Sequence, residues 1–277
     1  MITIPGSTLS ALPIRQERKR KVKVQFLGAH NCESATTRLV SILVDDILAL
    51  DAGGLTSSLP IESQLDLKAV LLTHYHYDHI RDIPALGMNA LFCETSVSVY
   101  ATQAVRDALA SHWLNGTIYV NFLEKPPESP RIQFTVIEPN RAFTVAGYKI
   151  LPVPVSHSAP TVGYQVTAPD GKTLFYTGDT GPGLAGAWPF TSPQLLITEV
   201  TAPNRFEEFG RRMLHLTPSL LKEELLAFQK QKSYLPQVVL VHMNPRQEKE
   251  IDAEVKQLSS ELGTSITLAY EGMVIQL

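Results

Sequence analysis

Thr73-His74-Tyr75-His76-Tyr77-Asp78-His79 follows the apolar run KAVLL, and its reading decides the fold. A short Val/Leu/Ala run that meets a polar cluster predicts a buried strand ending in a turn. Such a turn can aim successive side chains into one small volume, so His74, His76, Asp78 and His79 bring four lone-pair donors together within six residues. Imidazole and carboxylate suit zinc, manganese or iron. With no thiolate beside them, a purely structural zinc is disfavoured.

Working outward, three more residues of the same chemistry fall where an apolar strand gives way to a loop. His157 follows LPVPVS, Asp179 follows LFYTG and His242 follows VVLV. With this order of motifs, the HxHxDH run resembles the signature of the metallo-β-lactamase superfamily, over most of the chain from Val24 to His242. The resemblance implies an α/β fold, an αββα sandwich in which two mixed β-sheets lie face to face and are flanked by helices. It implies two divalent metal ions, zinc first, with manganese and iron also accepted. His74, His76 and His157 would bind one metal, Asp78, His79 and His242 the second, and Asp179 would bridge them. Seven ligands on two metals leave positions for a hydroxide and a substrate oxygen, and an open position separates catalytic from structural sites.

His215, in RRMLHLTPSLL, stands outside that ligand set. A histidine beside the metals but not bound to them can give a proton to a departing alkoxide. Glu199, at the strand end in LLITEVT, is placed to orient it, so the candidate catalytic set is His215, Asp78 and Glu199. This region resembles the phosphodiesterase branches of the superfamily. Enzymes of the RNase Z type carry a His-Ser-Thr loop, whereas HLTPSLLKEEL is closer to the His-Leu-Thr-Pro version of class II cyclic-nucleotide phosphodiesterases. The resemblance implies a metal-dependent hydrolase, a phosphodiesterase cleaving a small cyclic or nucleotide phosphodiester through a metal-bridging hydroxide. RNase Z enzymes insert a long arm between the third and fourth metal motifs; only 21 residues separate His157 from Asp179, which disfavours a large RNA. An RNase Z-type nuclease, a non-phosphate ester or lactam hydrolase, and a non-catalytic binding protein with a retained metal site stay open as alternatives. Analogy with phosphodiesterase members adds a homodimer.

Weaker signals surround these motifs. Asp51-Ala52-Gly53-Gly54 matches the superfamily's strand-end Asp-x-Gly, whose Asp commonly braces the metal loop, and Asn31 and Thr73 are further supports. Tyr75, Tyr77, Tyr164 and Tyr176 flank the motifs as core residues or base-stacking rings. His30 and His112 read as structural or exposed. Cys32 and Cys93 lie far apart and read as ordinary buried thiols, with no disulfide or zinc-thiolate site implied.

Composition bounds the rest. The chain has 277 residues, 44% hydrophobic and 18% charged, which fits one globular domain at 23–277 behind a lead-in at 1–22. No apolar stretch approaches the roughly 20 residues of a membrane span. The basic cluster follows a short mixed segment, unlike a secretory signal, so a cytoplasmic protein is expected. Segment 15–23 carries a net +5 and leaves −8 elsewhere, so no broad nucleic-acid face is visible.

Strands are predicted in KVKVQFL, RLVSILV, ILALDAG, KAVLLTH, RIQFTVIEP, FTVAGYKILPVPVSH, TVGYQVTAP, KTLFYTGDT, PQVVLVH, ITLAY and EGMVIQL. Helices are predicted in IRDIPALGMNALF, in SVYATQAVRDALASHWL and from Thr217-Pro218 to about Gln231. A further charged helix is expected to open at Asn244-Pro245, with Gln247 in a capping box, and to end near Gly263.

Overall fold

The computed structural model describes residues 21–277, so nearly all of the 1–22 lead-in and most of the basic cluster lie outside the described residues. Six strands come first: β1 (Lys23–Gly28), β2 (Ser41–Val44), β3 (Leu48–Leu50), β4 (Ala69–Leu71), β5 (Val97–Ala101) and β6 (Ile132–Val136). Then follow β7 (Phe143–Val145), β8 (Tyr148–Val155), β9 (Thr161–Thr167), β10 (Thr173–Tyr176), β11 (Leu195–Glu199), β12 (Gln237–Val241), β13 (Ile266–Leu268) and β14 (Val274–Gln276). They form two seven-stranded sheets, ordered β14-β1-β2-β3-β4-β5-β6 and β13-β12-β11-β10-β9-β8-β7. In the first, three antiparallel pairings lead to three parallel ones. The second repeats this from β7 to β13. Hence β3 and β10 hold equivalent places, antiparallel on one side and parallel on the other.

Period-2 alternation explains why the strands read as unbroken apolar runs. Ile42, Val44, Leu48, Leu50 and Leu71 point into a core shared with Ile150, Val153, Tyr164 and Val166 of the second sheet. Leu43, Ala49, Val70 and Leu72, one residue out of phase, point into a second core with Ile83, Leu86 and Val105. A sheet covered on both faces needs apolar residues at every position. The helices α1 (Ile61–Leu65), α2 (Tyr77–Ile80), α3 (Ile83–Phe92) and α4 (Gln103–Ala108) belong to the first half. The helices α5 (Glu207–Met213), α6 (Pro218–Lys232) and α7 (Glu248–Leu262) belong to the second. Leu221, Leu225 and Phe228 of α6 and Ile251 and Val255 of α7 belong to the same apolar cluster as the second sheet. Thr217 caps α6 by accepting from the Leu220 amide, and Gly263 ends α7 at φ 62°.

Four expectations are corrected. Residues 98–101, read as helix, belong to β5, whose pairing with both β4 and β6 overrides local propensity. The segment FTVAGYKILPVPVSH is a hairpin, β7 and β8 joined through Ala146 and Gly147, both at positive φ. Helix α7 starts at Glu248, because Asn244 closes a turn on the Arg246 amide and Gln247 makes no side-chain cap. Cys32 and Cys93 are exposed. No helix among the described residues is long and apolar enough to cross a membrane.

His30 is buried, bonded to Glu271 (2.7 Å) and Glu248 (3.3 Å), and so joins the end of β1 to the approach of β14 and the start of α7. Burial pushes the imidazole down, yet the two carboxylates hold it above 6.5. Burial pushes Glu271 up, yet His30 and the Arg38 amide hold it below 4.5. The His30 contribution is complete below its unfolded value and fades as pH rises through the raised folded one. The Glu271 contribution is complete above its unfolded value and fades as pH falls through the lowered one. In urea denaturation at about pH 6, between those limits, His30→Gln is expected to cost roughly 1–3 kcal/mol. The difference from the parent should shrink at about pH 9; a gap independent of pH would show that the ion pairs contribute nothing.

Candidate metal centre

The residues of the centre come from strand ends, the turns after them and one helical turn. Thr73 and His74 follow β4, Asp179 follows β10, His242 follows β12, and His157 lies in the turn between β8 and β9. His76 precedes α2, which carries Asp78 and His79 on its single turn. Carboxyl ends of parallel strands are where α/β sheets bind ligands, at points where strand order changes.

The far nitrogen of each imidazole determines what its near nitrogen presents. Thr73 Oγ1 donates to Asp51 (2.9 Å) and so accepts from His74 Nδ1 (3.0 Å), turning His74 Nε2 inward. His157 Nδ1 donates to the Leu214 carbonyl (3.1 Å), and His79 Nδ1 donates to Asp51 Oδ2 (2.7 Å). Thr201 Oγ1 donates to Glu199 (2.7 Å) and accepts from His242 Nδ1 (2.8 Å). Four histidines therefore turn Nε2 toward one space, and His157 Nε2 meets His76 Nδ1 at 3.1 Å.

Buried groups normally find partners. Here His74 Nε2, His79 Nε2 and Asp179 Oδ1 are buried without a hydrogen bond, although His79 Nε2 and Asp179 Oδ1 approach to 3.1 Å. Donor atoms of His74, His76, His157 and Asp179 lie within 4.8 Å of one another, and so do those of Asp78, His79, Asp179 and His242. Two quartets of nitrogen and oxygen donors sharing one carboxylate fit a pair of divalent cations, in the same grouping that the resemblance implied. A third combination, Asp179, Glu199, His215 and His242, is equally compact. Glu199 is already taken up by the Thr180 and Leu216 amides, Thr201 and His215, so that group is a hydrogen-bond network.

Electrostatics separate the two quartets. Burial, then neighbouring imidazoles, pushes His74 well below 6.5. Burial also lowers His76 and His157. Burial would lower His79 as well, but Asp179, Asp78 and Asp51 hold it well above 6.5. His242 is likewise raised against burial by Asp179 and Asp78. Burial works to raise Asp78 and Asp179, yet their imidazole neighbours hold both low. The first quartet thus offers neutral imidazoles, whereas a cation entering the second must displace protons.

His215 sits against both quartets, its ring centroid 5.1 Å from His157 and 5.4 Å from His242. Its Nδ1 bonds Glu199 Oε1 at 2.7 Å. Burial opposes its charge, but the Glu199 ion pair outweighs that and lifts its pKa to about 9. Backbone at Asp51 (φ 57°), Leu214 (φ 58°) and His242 (φ 64°) is left-handed, so strain of order 1–3 kcal/mol per residue gathers here.

All seven residues proposed as ligands meet, and His215 and Glu199 join them. Glu199, entered among catalytic candidates, is fully buried and reaches the centre only through His215 and Thr201. Asp51 and Thr73 brace the loop, and Tyr176 joins them through a hydrogen bond to Asp51 (2.7 Å). Tyr164 is buried and bonded to the Leu72 carbonyl, so neither tyrosine is a stacking ring. His112 is exposed, and Asn31 is half-buried with its Oδ1 buried and without a hydrogen bond. Sequence reading missed Thr201 and the Leu214 carbonyl; a lone hydroxyl two residues after Glu199 carries no signal without the fold.

Residues 42–243 match the beta-lactamase superfamily domain. The chain belongs to that family. Among solved structures similar to this superfamily member is the metallo-beta-lactamase fold protein YhfI of Bacillus subtilis, at TM-score 0.73 and 19% identity, covering 93% of this chain and 100% of that one. Unliganded yeast PDE1 is similar at TM-score 0.78 and 14% identity, with the same coverage. Human tRNase Z, short form, follows at TM-score 0.65 and 19% identity, covering 91% and 98%. These likenesses establish the metallo-β-lactamase fold. A sequence relative, the octanoyltransferase of Porphyromonas gingivalis (strain ATCC BAA-308 / W83), is 29% identical over 113 residues, or 40% of this chain. The chain spans about a fifth of that relative's length, 21%.

Outer hydrogen-bond partners hold ligand rings in place and raise their basicity. Asp51→Asn is expected to weaken divalent-metal affinity about 10- to 100-fold in competition with a chromophoric chelator. Parental affinity in the folded variant would show that Asp51 serves packing alone.

Proposed function

We propose that this chain is a metal-dependent phosphodiesterase acting on a small cyclic or nucleotide phosphodiester. The observation that carries the reading is His215, an imidazole hydrogen-bonded to a buried carboxylate beside two donor quartets and outside both ligand sets. When bound, a pair of divalent ions supplies Lewis acidity and activates water; zinc is our first choice, with manganese and iron suited to the same donors.

The protein's own groups account for the proton and the geometry. Glu199 fixes His215 through Nδ1, which leaves the proton on Nε2 for the departing oxygen. A pKa of about 9 keeps that proton in place at neutral pH. Thr201 holds His242 and Glu199 together, so ligand and acid stand on one rigid network. In this reading Glu199 is a positioning residue and His215 the catalytic acid.

A small substrate is favoured by how the 21 residues between His157 and Asp179 are used. Strands β9 and β10 and the Pro169-Asp170-Gly171 turn occupy them, leaving no length for an RNA-gripping arm. Residence in the cytoplasm is part of the proposal and rests on the sequence alone.

The test is hydrolysis of bis(p-nitrophenyl) phosphate and 3′,5′-cyclic AMP by protein stripped of metal and reloaded with zinc or manganese. Metal-dependent turnover of both is expected. Inactivity of fully metallated protein on both would falsify the phosphodiesterase reading and favour a carbon-centred ester or a binding role. His215→Ala is expected to keep its metal and lose about 10²- to 10⁴-fold in kcat on cyclic AMP. The loss should be smaller on the nitrophenyl ester, whose leaving group departs without a proton. Equal losses on the two esters would remove His215 from the acid role.

A further inference from the structure

Two aromatic side chains alternate with the ligands of the metal loop, and neither is used by the centre. Tyr75 stands between His74 and His76, and Tyr77 stands between His76 and Asp78. Tyr77 is 58% exposed. Its centroid lies 5.7 Å from that of Trp113, at 53°. Trp113 ends a π-helical turn, Leu109–Trp113, that continues α4, and such turns occur often at functional sites.

Tyr75, Trp113, Ile80 and Ala108 wall a cavity of about 390 Å³ whose polar lining is Asp107, Ser111 and His112. It is therefore a ringed pocket with one acidic side chain, beside the metal loop. A carboxylate there repels phosphate and accepts hydrogen bonds from ring amino groups. Asp107 Oδ1 already accepts from Gln103 (2.6 Å), leaving its second oxygen to face a ligand. A larger cavity of about 690 Å³, which His157 itself lines, mixes prolines and valines with polar side chains such as Gln103 and Glu138 and offers no aromatic side chain other than His157.

We infer that the cavity walled by Tyr75 and Trp113, with Tyr77 packed against Trp113, is the subsite for the nucleobase of the substrate. Trp113, held by Tyr77, stacks on the ring, and Asp107 takes up an exocyclic amino group. The phosphodiester lies at the donor quartets, where the imidazoles and metals carry positive charge. The inference rests on the phosphodiesterase reading and narrows its substrates to those that bear a base.

Adenosine, which has no phosphate, separates the two ideas. The chain has two tryptophans; Trp188 is fully buried against Phe228, so fluorescence changes on ligand addition report Trp113. Adenosine is expected to quench the parent saturably, and Trp113→Phe to abolish the response. Asp107→Ala should raise the Kd about tenfold, the scale of one lost hydrogen bond to a charged group. Tyr77→Ala should raise it too, by freeing Trp113, while Tyr77→Phe stays near the parent. Tyr77 and Asp107 are exposed, so their truncation does not threaten the fold. In turnover, the ratio of kcat/KM for a base-bearing over a base-free phosphodiester should fall about tenfold in Asp107→Ala. Absence of saturable quenching, or an unchanged Kd in both Tyr77→Ala and Asp107→Ala, overturns the subsite. Quenching without any phosphodiester hydrolysis upholds the subsite and removes the proposed reaction.

Discussion

The carboxylate of Asp51 ties the two sheets together at the end where the centre forms. It accepts the amide and hydroxyl of Thr73, the imidazole of His79 and the phenol of Tyr176. Thr73 and His79 belong to the metal loop of the first sheet, and Tyr176 is the last residue of β10 in the second. A buried ion without partners costs several kcal/mol, so removing any of these donors strains the joint as well as the loop. The left-handed backbone at Asp51 lets one residue face all of them. Packing and ligand orientation therefore share one interaction: the bond that holds His79 Nδ1 is also the one that turns its Nε2 toward Asp179.

The repeat between the sheets gives this interaction a counterpart. Strand β3 leads to Asp51 and strand β10 to Asp179, the two places where pairing changes from antiparallel to parallel. The two carboxylates meet different surroundings. Asp51 faces hydroxyl, amide and imidazole protons and is saturated by them. Asp179 faces the Nε2 sides of the imidazoles, because Thr73, Thr201, Leu214 and Asp51 take up the far sides of the rings. One half of the fold thus uses its strand-end aspartate as a brace, and the other leaves an oxygen unpaired for a cation.

That difference explains what could be read from the chain in advance. The donors are dense and sit directly after apolar runs, so His74, His76, Asp78, His79, His157, Asp179 and His242 were legible from type and position. Their grouping was legible only by resemblance to a family. Strand β5 was hidden because Ser98 to Ala101 leads straight into a helix, and only its two parallel neighbours fix it as extended. The hairpin of β7 and β8 was hidden because Ala146, a residue without a turn preference, occupies a positive-φ position beside Gly147. Cys32 and Cys93 defied the usual burial of thiols because one lies in the loop after β1 and the other at the end of α3. Thr201 was invisible, since its value lies in receiving one bond and giving another across three loops.

What divides a ligand from an acid in this cluster is the group that faces Nε2. His79 and His215 both give Nδ1 to a carboxylate and both are raised above the ordinary imidazole value. His79 is fully buried, with Nε2 3.1 Å from Asp179 and 3.6 Å from Asp78, so a divalent cation can replace its proton and be held by both carboxylates. His215 keeps 19% of its side chain open to solvent, and its Nε2 makes no ion pair among the described residues. A cation gains nothing there that compensates for losing the proton that Glu199 stabilises. On the proposed reading, the same chemistry of imidazole and carboxylate thus yields a metal ligand in one place and a proton donor a few ångströms away, and burial decides which.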